Sequence, residues 1–292
     1  MSRFLAAAIV GFACSAASAQ DARLAASART LEINGTTLAY IEQGAGPPLV
    51  LVHGAFSDFR YWQEVMGTLA ESYRTFAYSR RDFYPNPIDD TPSANLYADR
   101  DDLAALIERL DLAPVHLVGH SRGGHVVLTL AATRPELVKS VTTLEGGFLD
   151  AGVSEEALAA LASYGPVIGS AIQHFNAGDT EEGTRVFLEY ALGRDSYQSW
   201  PAATKRIALQ NARALGRRRE AGLSCADVAA IRAPALLLIG TKTPPHNRAM
   251  MQGVQSCVPG IVTVEIEGAS HNIHGDNPAA FTRAVLDFVR RH

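Results

Sequence analysis

Six short apolar runs constrain this chain most: Leu49–Val52, Thr75–Tyr78, Val115–Val118, Val141–Leu144, Ala235–Ile239 and Val262–Ile266. A run without polar alternation suits a strand buried on both faces, the condition of a parallel sheet covered by helices. Between most of these runs the spacing turns helical, as in Leu103-Leu106-Ile107-Leu110 and Phe281-Val285-Leu286-Val289. Strand and helix in alternation predict an α/β fold with a mostly parallel, doubly wound sheet. Ahead of it, Thr30–Ile33 and Thr37–Ile41 alternate around Asn34-Gly35, a two-residue hairpin signal. From Phe148 to about Asp227 the rhythm breaks, with Ala-, Leu- and Glu-rich segments separated by Gly. One helix would normally span that gap, so these roughly 80 residues read as an inserted helical cap over the open end of the sheet. The expected organisation is a core from residues 20–147 and 229–292, interrupted by a cap over 148–228.

Residues 1–19 read as an address rather than as part of the fold. Arg3 gives a positive start, Phe4–Cys14 is apolar, and Ala17-Ser18-Ala19 supplies the small residues of a cleavage site. The apolar stretch is too short for a bilayer, which takes about 20 residues, so it predicts a secreted or periplasmic protein without stable membrane insertion. With 26 Lys+Arg against 30 Asp+Glu and no long run of one sign, the chain lacks the basic face of a nucleic-acid binder. Export leaves two cysteines, Cys225 and Cys257, as a candidate disulfide in an oxidising compartment. Two free thiols are the alternative.

The chemistry gathers where the runs end. Val115–Val118 leads into Gly119-His120-Ser121-Arg122-Gly123, then Gly124 and an apolar helix. This is G-x-S-x-G between strand and helix, a turn tight enough to exclude side chains beside the serine. It lifts the Ser121 hydroxyl to the head of a helix, whose N-terminus favours developing negative charge. Leu49–Val52 ends in His53-Gly54-Ala55-Phe56, a loop able to supply one backbone N–H of an oxyanion hole. Ala55 and Arg122 are the expected donors.

Taken together, these features resemble the α/β-hydrolase fold superfamily in its capped form, and the likeness covers nearly all of the chain after residue 30. In that family the base lies in a loop after the last strand, so the resemblance points to His271 in Gly268-Ala269-Ser270-His271. Most relatives carry an Asp after the seventh strand. Here that strand ends Gly240-Thr241-Lys242-Thr243-Pro244-Pro245, without a carboxylate. Some members place the acid after the sixth strand, where this chain has Glu145-Gly146-Gly147. Glu145 is therefore the expected acid, with Asp276 and Asp227 in reserve. The order Ser121, Glu145, His271 agrees with the family's nucleophile–acid–base order.

These residues predict a cofactor-free serine hydrolase with a small-molecule ester or lactone as its substrate. The same fold also supports C–C hydrolysis, perhydrolysis, lyase chemistry and non-catalytic binding modules. A Ser at position 121 argues against the dehalogenases and epoxide hydrolases, which resemble one another in using Asp there. Phe56, His120, Phe148 and Trp200 are candidates for the substrate pocket, with Phe175 and Tyr190 as further aromatics. No metal motif is present: His120 with His125, and His271 with His274, lack ligand spacing. Arg80-Arg81-Asp82 reads as a surface or loop-anchoring ion pair of little energetic weight, and Arg217–Arg219 as a solvated helix face.

Overall fold

The computed structural model describes residues 27–88, 94–146, 155–193, 195–216 and 223–292. The expected leader, Phe148, Arg217–Arg219 and the start of the expected cap lie outside those residues. Eight strands form one sheet: β1 (Arg29–Ile33), β2 (Thr36–Gln43), β3 (Pro48–Val52), β4 (Arg74–Tyr78), β5 (Val115–His120), β6 (Val138–Leu144), β7 (Ala235–Gly240) and β8 (Val262–Ile266). Their order is β1-β2-β4-β3-β5-β6-β7-β8. The hairpin β1–β2 joins β4 antiparallel, and every later pairing is parallel.

The longer helices among the described residues are α1 (Gln63–Ala70), α2 (Leu96–Arg109), α3 (Arg122–Thr133), α4 (Glu155–Asn176), α5 (Thr180–Leu192), α6 (Ala202–Gly216), α7 (Pro245–Cys257) and α8 (Pro278–Val289). Successive strand residues point to opposite faces, and each face has its own helical cover. Val50, Val52, Leu117, Val141 and Leu237 meet α2, α3 and α7 through Leu103, Ile107, Val126, Leu130, Met250 and Val254. Leu49, Leu51, Val118, Leu144 and Leu238 meet α1 and α8 through Val65, Leu69, Phe281 and Val285. Burial on both faces explains the unbroken apolar runs. Each such Val or Leu contributes about 1.5–3 kcal/mol on leaving water.

Strand β3 has β4 on one side and β5 on the other, so the chain leaves it in opposite directions. That reversal opens a crevice beyond the carboxyl ends of β3 and β5. Between β6 and β7 the described residues form α4, α5 and α6 and two single turns, Ser196–Ser199 and Cys225–Val228. These helices meet the core through Phe56, which packs with Leu188, Tyr197, Ala208 and Ala212. A polar anchor secures α6. Asn211 Nδ2 donates to Asp58 Oδ2 at 2.7 Å, and its Oδ1 accepts from the Tyr84 backbone N–H at 2.8 Å. Asp58 is paired with Arg60 at 2.6 Å, and Arg60 also donates to Gln210.

Cys225 and Cys257 are joined as a disulfide, with Cα atoms 5.1 Å apart. It ties the single turn Cys225–Val228 to the end of α7. Among the described residues, no helix is long and apolar enough to cross a membrane.

Candidate active site

Ser121 sits between β5 and α3 at φ 50° and ψ −117°, a conformation that non-glycine residues rarely adopt. The neighbouring glycines make it possible. A Cβ on Gly119 would stand 2.3 Å from the Gly123 carbonyl oxygen, and one on Gly123 would stand 2.1 Å from that of Val52. The turn is held from below, because the Ser121 N–H donates to the Leu144 carbonyl at 2.8 Å. Its own carbonyl accepts from Gly124 N–H, the first turn of α3.

The loop after β3 closes on this turn. A Cβ on Gly54 would lie 3.2 Å from Ser121 Cβ, so Ala55 enters the same cavity as the serine. Arg80 holds the loop there and corrects the surface reading of Arg80-Arg81-Asp82. It is 1% exposed, pairs with Asp99 at 2.6 Å, and donates to the carbonyls of His53 and Gly54. Its backbone N–H donates to His53 Nε2, so the Nδ1–H of that neutral ring faces the Gly54 carbonyl at 2.8 Å. A trans peptide points its N–H away from its C=O, so fixing the Gly54 carbonyl fixes the direction of the Ala55 N–H. Arg81 is buried as well, gripping Asp102 with two N–H groups. Both arginines thus follow the loop-anchoring alternative, but buried, because the acids that take them inside lie 19 and 21 residues further along the chain, on α2.

His271 follows β8 and lines the same cavity as Ser121. Its Nδ1 lies 3.2 Å from Glu145 Oε2. Glu145, 2% exposed, leaves β6 in the left-handed region at φ 52°. Its other oxygen, Oε1, accepts from Gly240 N–H at 2.9 Å and from Thr243 Oγ1 at 2.6 Å. The end of β7 thus supplies donors to the carboxylate. The reserve acids are engaged elsewhere: Asp276 accepts from Ser270, and Asp227 forms a capping box with Ser224.

The cavity holds about 130 Å³. The pocket candidates Phe56, His120 and Trp200 line it, together with Phe187, Leu192 and Ile207 on the helical side. Phe175 instead packs against Phe56, and Tyr190 against His246. Sequence reasoning missed Tyr61 and Asn272. Tyr61 donates to Asn272 Oδ1 at 2.8 Å, and its backbone carbonyl accepts from His274 Nε2 at 2.9 Å. His120 Nε2 donates to the His271 carbonyl at 2.8 Å, so the turn before the serine also grips the loop that carries the base. No sequence motif announces these contacts, because each joins segments far apart in the chain.

Burial holds His120 well below the ordinary histidine range, with His271 and His274 adding to the effect. Burial likewise lowers His274 to about 4 and raises Tyr61 well above its usual value. His125, beneath the turn, is lowered by burial and then by Arg122 and Arg80. Among the described residues, no group of three His, Cys, Asp or Glu side chains could hold a metal ion. A hydroxyl on a strained turn and an imidazole facing a buried carboxylate, in one cavity, can together activate an oxygen nucleophile.

The model of the alpha/beta hydrolase family matches residues 49–284. The chain is 27% identical over 282 residues to a 2-(acetamidomethylene)succinate hydrolase of Mesorhizobium japonicum, covering 89% of this chain and 94% of that protein. Among solved structures it is similar to a membrane phospholipase A described as a bacterial virulence factor, at TM-score 0.72 and 21% identity over the whole of both chains. It is also similar to a carboxylesterase from Bacillus subtilis, at TM-score 0.72 and 18% identity over 97% of this chain and 99% of that one. At those identities the two structures speak for the fold.

Proposed function

Because the chain belongs to the alpha/beta hydrolase family, we propose that it is a serine hydrolase of carboxylic esters or lactones. Residues 1–19 direct its export, and the insertion 148–228 caps the site. What carries the reading is Ser121 in one cavity with His271, whose Nδ1 faces the buried Glu145 carboxylate at 3.2 Å. His271 takes the Ser121 proton through Nε2 as the oxygen attacks the substrate carbonyl, and Glu145 stabilises the imidazolium. The backbone N–H groups of Ala55 and Arg122 receive the oxyanion, each worth about 3–4 kcal/mol in the transition state. His271 then protonates the leaving oxygen, and water activated by the same ring hydrolyses the acyl-enzyme.

A second reading is the reaction named for the Mesorhizobium relative, supported by the extent of that match. One panel tests both: short and long carboxylic esters, lactones, and 2-(acetamidomethylene)succinate, each with the wild type and with Ser121→Ala. The expected result is ester or lactone turnover that the substitution abolishes. Turnover of the succinate alone would favour the second reading. Hydrolysis that survives Ser121→Ala would overturn both.

A further inference from the structure

We infer that Thr243 is a positioning residue for the acid–base pair, its hydroxyl fixing the Glu145 carboxylate in the orientation that faces His271. This inference rests on the Ser121–His271–Glu145 reading of the site. A glutamate has one more rotatable bond than an aspartate, so reaching the imidazole from β6 requires its carboxylate to be held. Both holds fall on one oxygen: Oε1 accepts from Gly240 N–H at 2.9 Å and from Thr243 Oγ1 at 2.6 Å. The lone pairs of a carboxylate oxygen lie in the plane of the group. One donor leaves that plane free to swing, whereas two set it, and Oε2 is left 3.2 Å from His271 Nδ1.

The turn carrying Thr243 is itself tied to both partners. Thr243 N–H donates to the Gly240 carbonyl at 3.1 Å, and Lys242 N–H to the Ala269 carbonyl at 2.8 Å, two residues before His271. Arg248 adds a bond to the Gly240 carbonyl at 2.9 Å. The threonine hydroxyl therefore stands at a fixed distance from the base loop, and it is buried. Its role is to place a charge carried by another residue.

The test compares two substitutions that divide the threonine side chain. T243V keeps the shape and removes the hydroxyl, whereas T243S keeps the hydroxyl and removes a methyl. The readout is the rate at which a fluorophosphonate labels Ser121, which needs no knowledge of the substrate, with thermal melts to verify folding. T243V should label roughly tenfold more slowly, as loss of one well-placed hydrogen bond implies, and T243S should recover most of the rate. Because Thr243 acts through the carboxylate, adding T243V to Glu145→Gln should cost nothing further. Wild-type labelling by T243V would overturn the inference, as would T243S slowed to the level of T243V, or a loss that adds in full to that of Glu145→Gln. Failure of the wild type to label at Ser121 would overturn the reading of the site and this inference with it. Labelling indifferent to T243V overturns the inference alone.

Discussion

The serine side and the acid–base side of the site are built in different ways. Ser121 is placed by its immediate neighbours: Gly119 and Gly123 leave room for backbone that any Cβ would strike, and β5 and α3 follow without a break. Glu145 and His271 lie 126 residues apart and meet only because β6, β7 and β8 are adjacent in the sheet. Local sterics set the strain of the first side, and β3 and β6 seat it through Val52 and Leu144. The second depends on hydrogen bonds from a third segment, Gly240 to Thr243. A serine on a strained turn can thus be exchanged without moving the fold, whereas the acid is only as well placed as its donors.

The sharpest division between the two sides comes from Ser121→Ala. Turnover should fall by about 10⁶ in kcat, while the melting temperature stays close to that of the wild type. A large loss of stability would show that the serine side is not locally built. Glu145→Gln should reduce kcat by roughly 10²–10⁴ with little change in KM, because the imidazolium loses its partner. An effect under tenfold would assign the orienting role to another group.

Stability separates the sides further. Arg80→Met leaves Asp99 buried without its guanidinium and removes the charged donor from the Gly54 carbonyl, which keeps those of His53 and Ser57. Urea unfolding should show a loss of about 3–5 kcal/mol, with kcat lowered as the Ala55 N–H drifts. A pH titration probes the base side. His274 is neutral in the fold with its pKa lowered to about 4 by burial, whereas the unfolded chain binds that proton near 6.5. The unfolded state then holds more protons between these values, so stability is full above pH 6.5 and falls as the pH drops toward 4. The loss approaches about 3 kcal/mol for this ring, and it should shrink when His274 is replaced by Gln.

The same contrast explains what could be read from the sequence. The sheet was legible because strands buried on both faces leave unbroken apolar runs, and all eight strands lie where those runs and the hairpin signal predict them. The turn around Ser121 was legible because its geometry is dictated by five adjacent residues. Glu145 is reached through a family resemblance and the missing carboxylate after β7, whereas nothing in the sequence marks Thr243 as its donor. The burial of Arg80 and Arg81 is not legible, because a charged pair looks solvated until its partners are known, and those lie on α2. Tyr61 and Asn272 left no signal at all, since their bond spans 211 residues. Phe148 lies outside the described residues.

Whether Ser121 is an activated nucleophile is read directly by a fluorophosphonate reaction followed by peptide mass mapping. A single adduct on Ser121 is expected, absent from Ser121→Ala and formed far more slowly in Glu145→Gln. An unlabelled folded protein, or an adduct on any other residue, would contradict it.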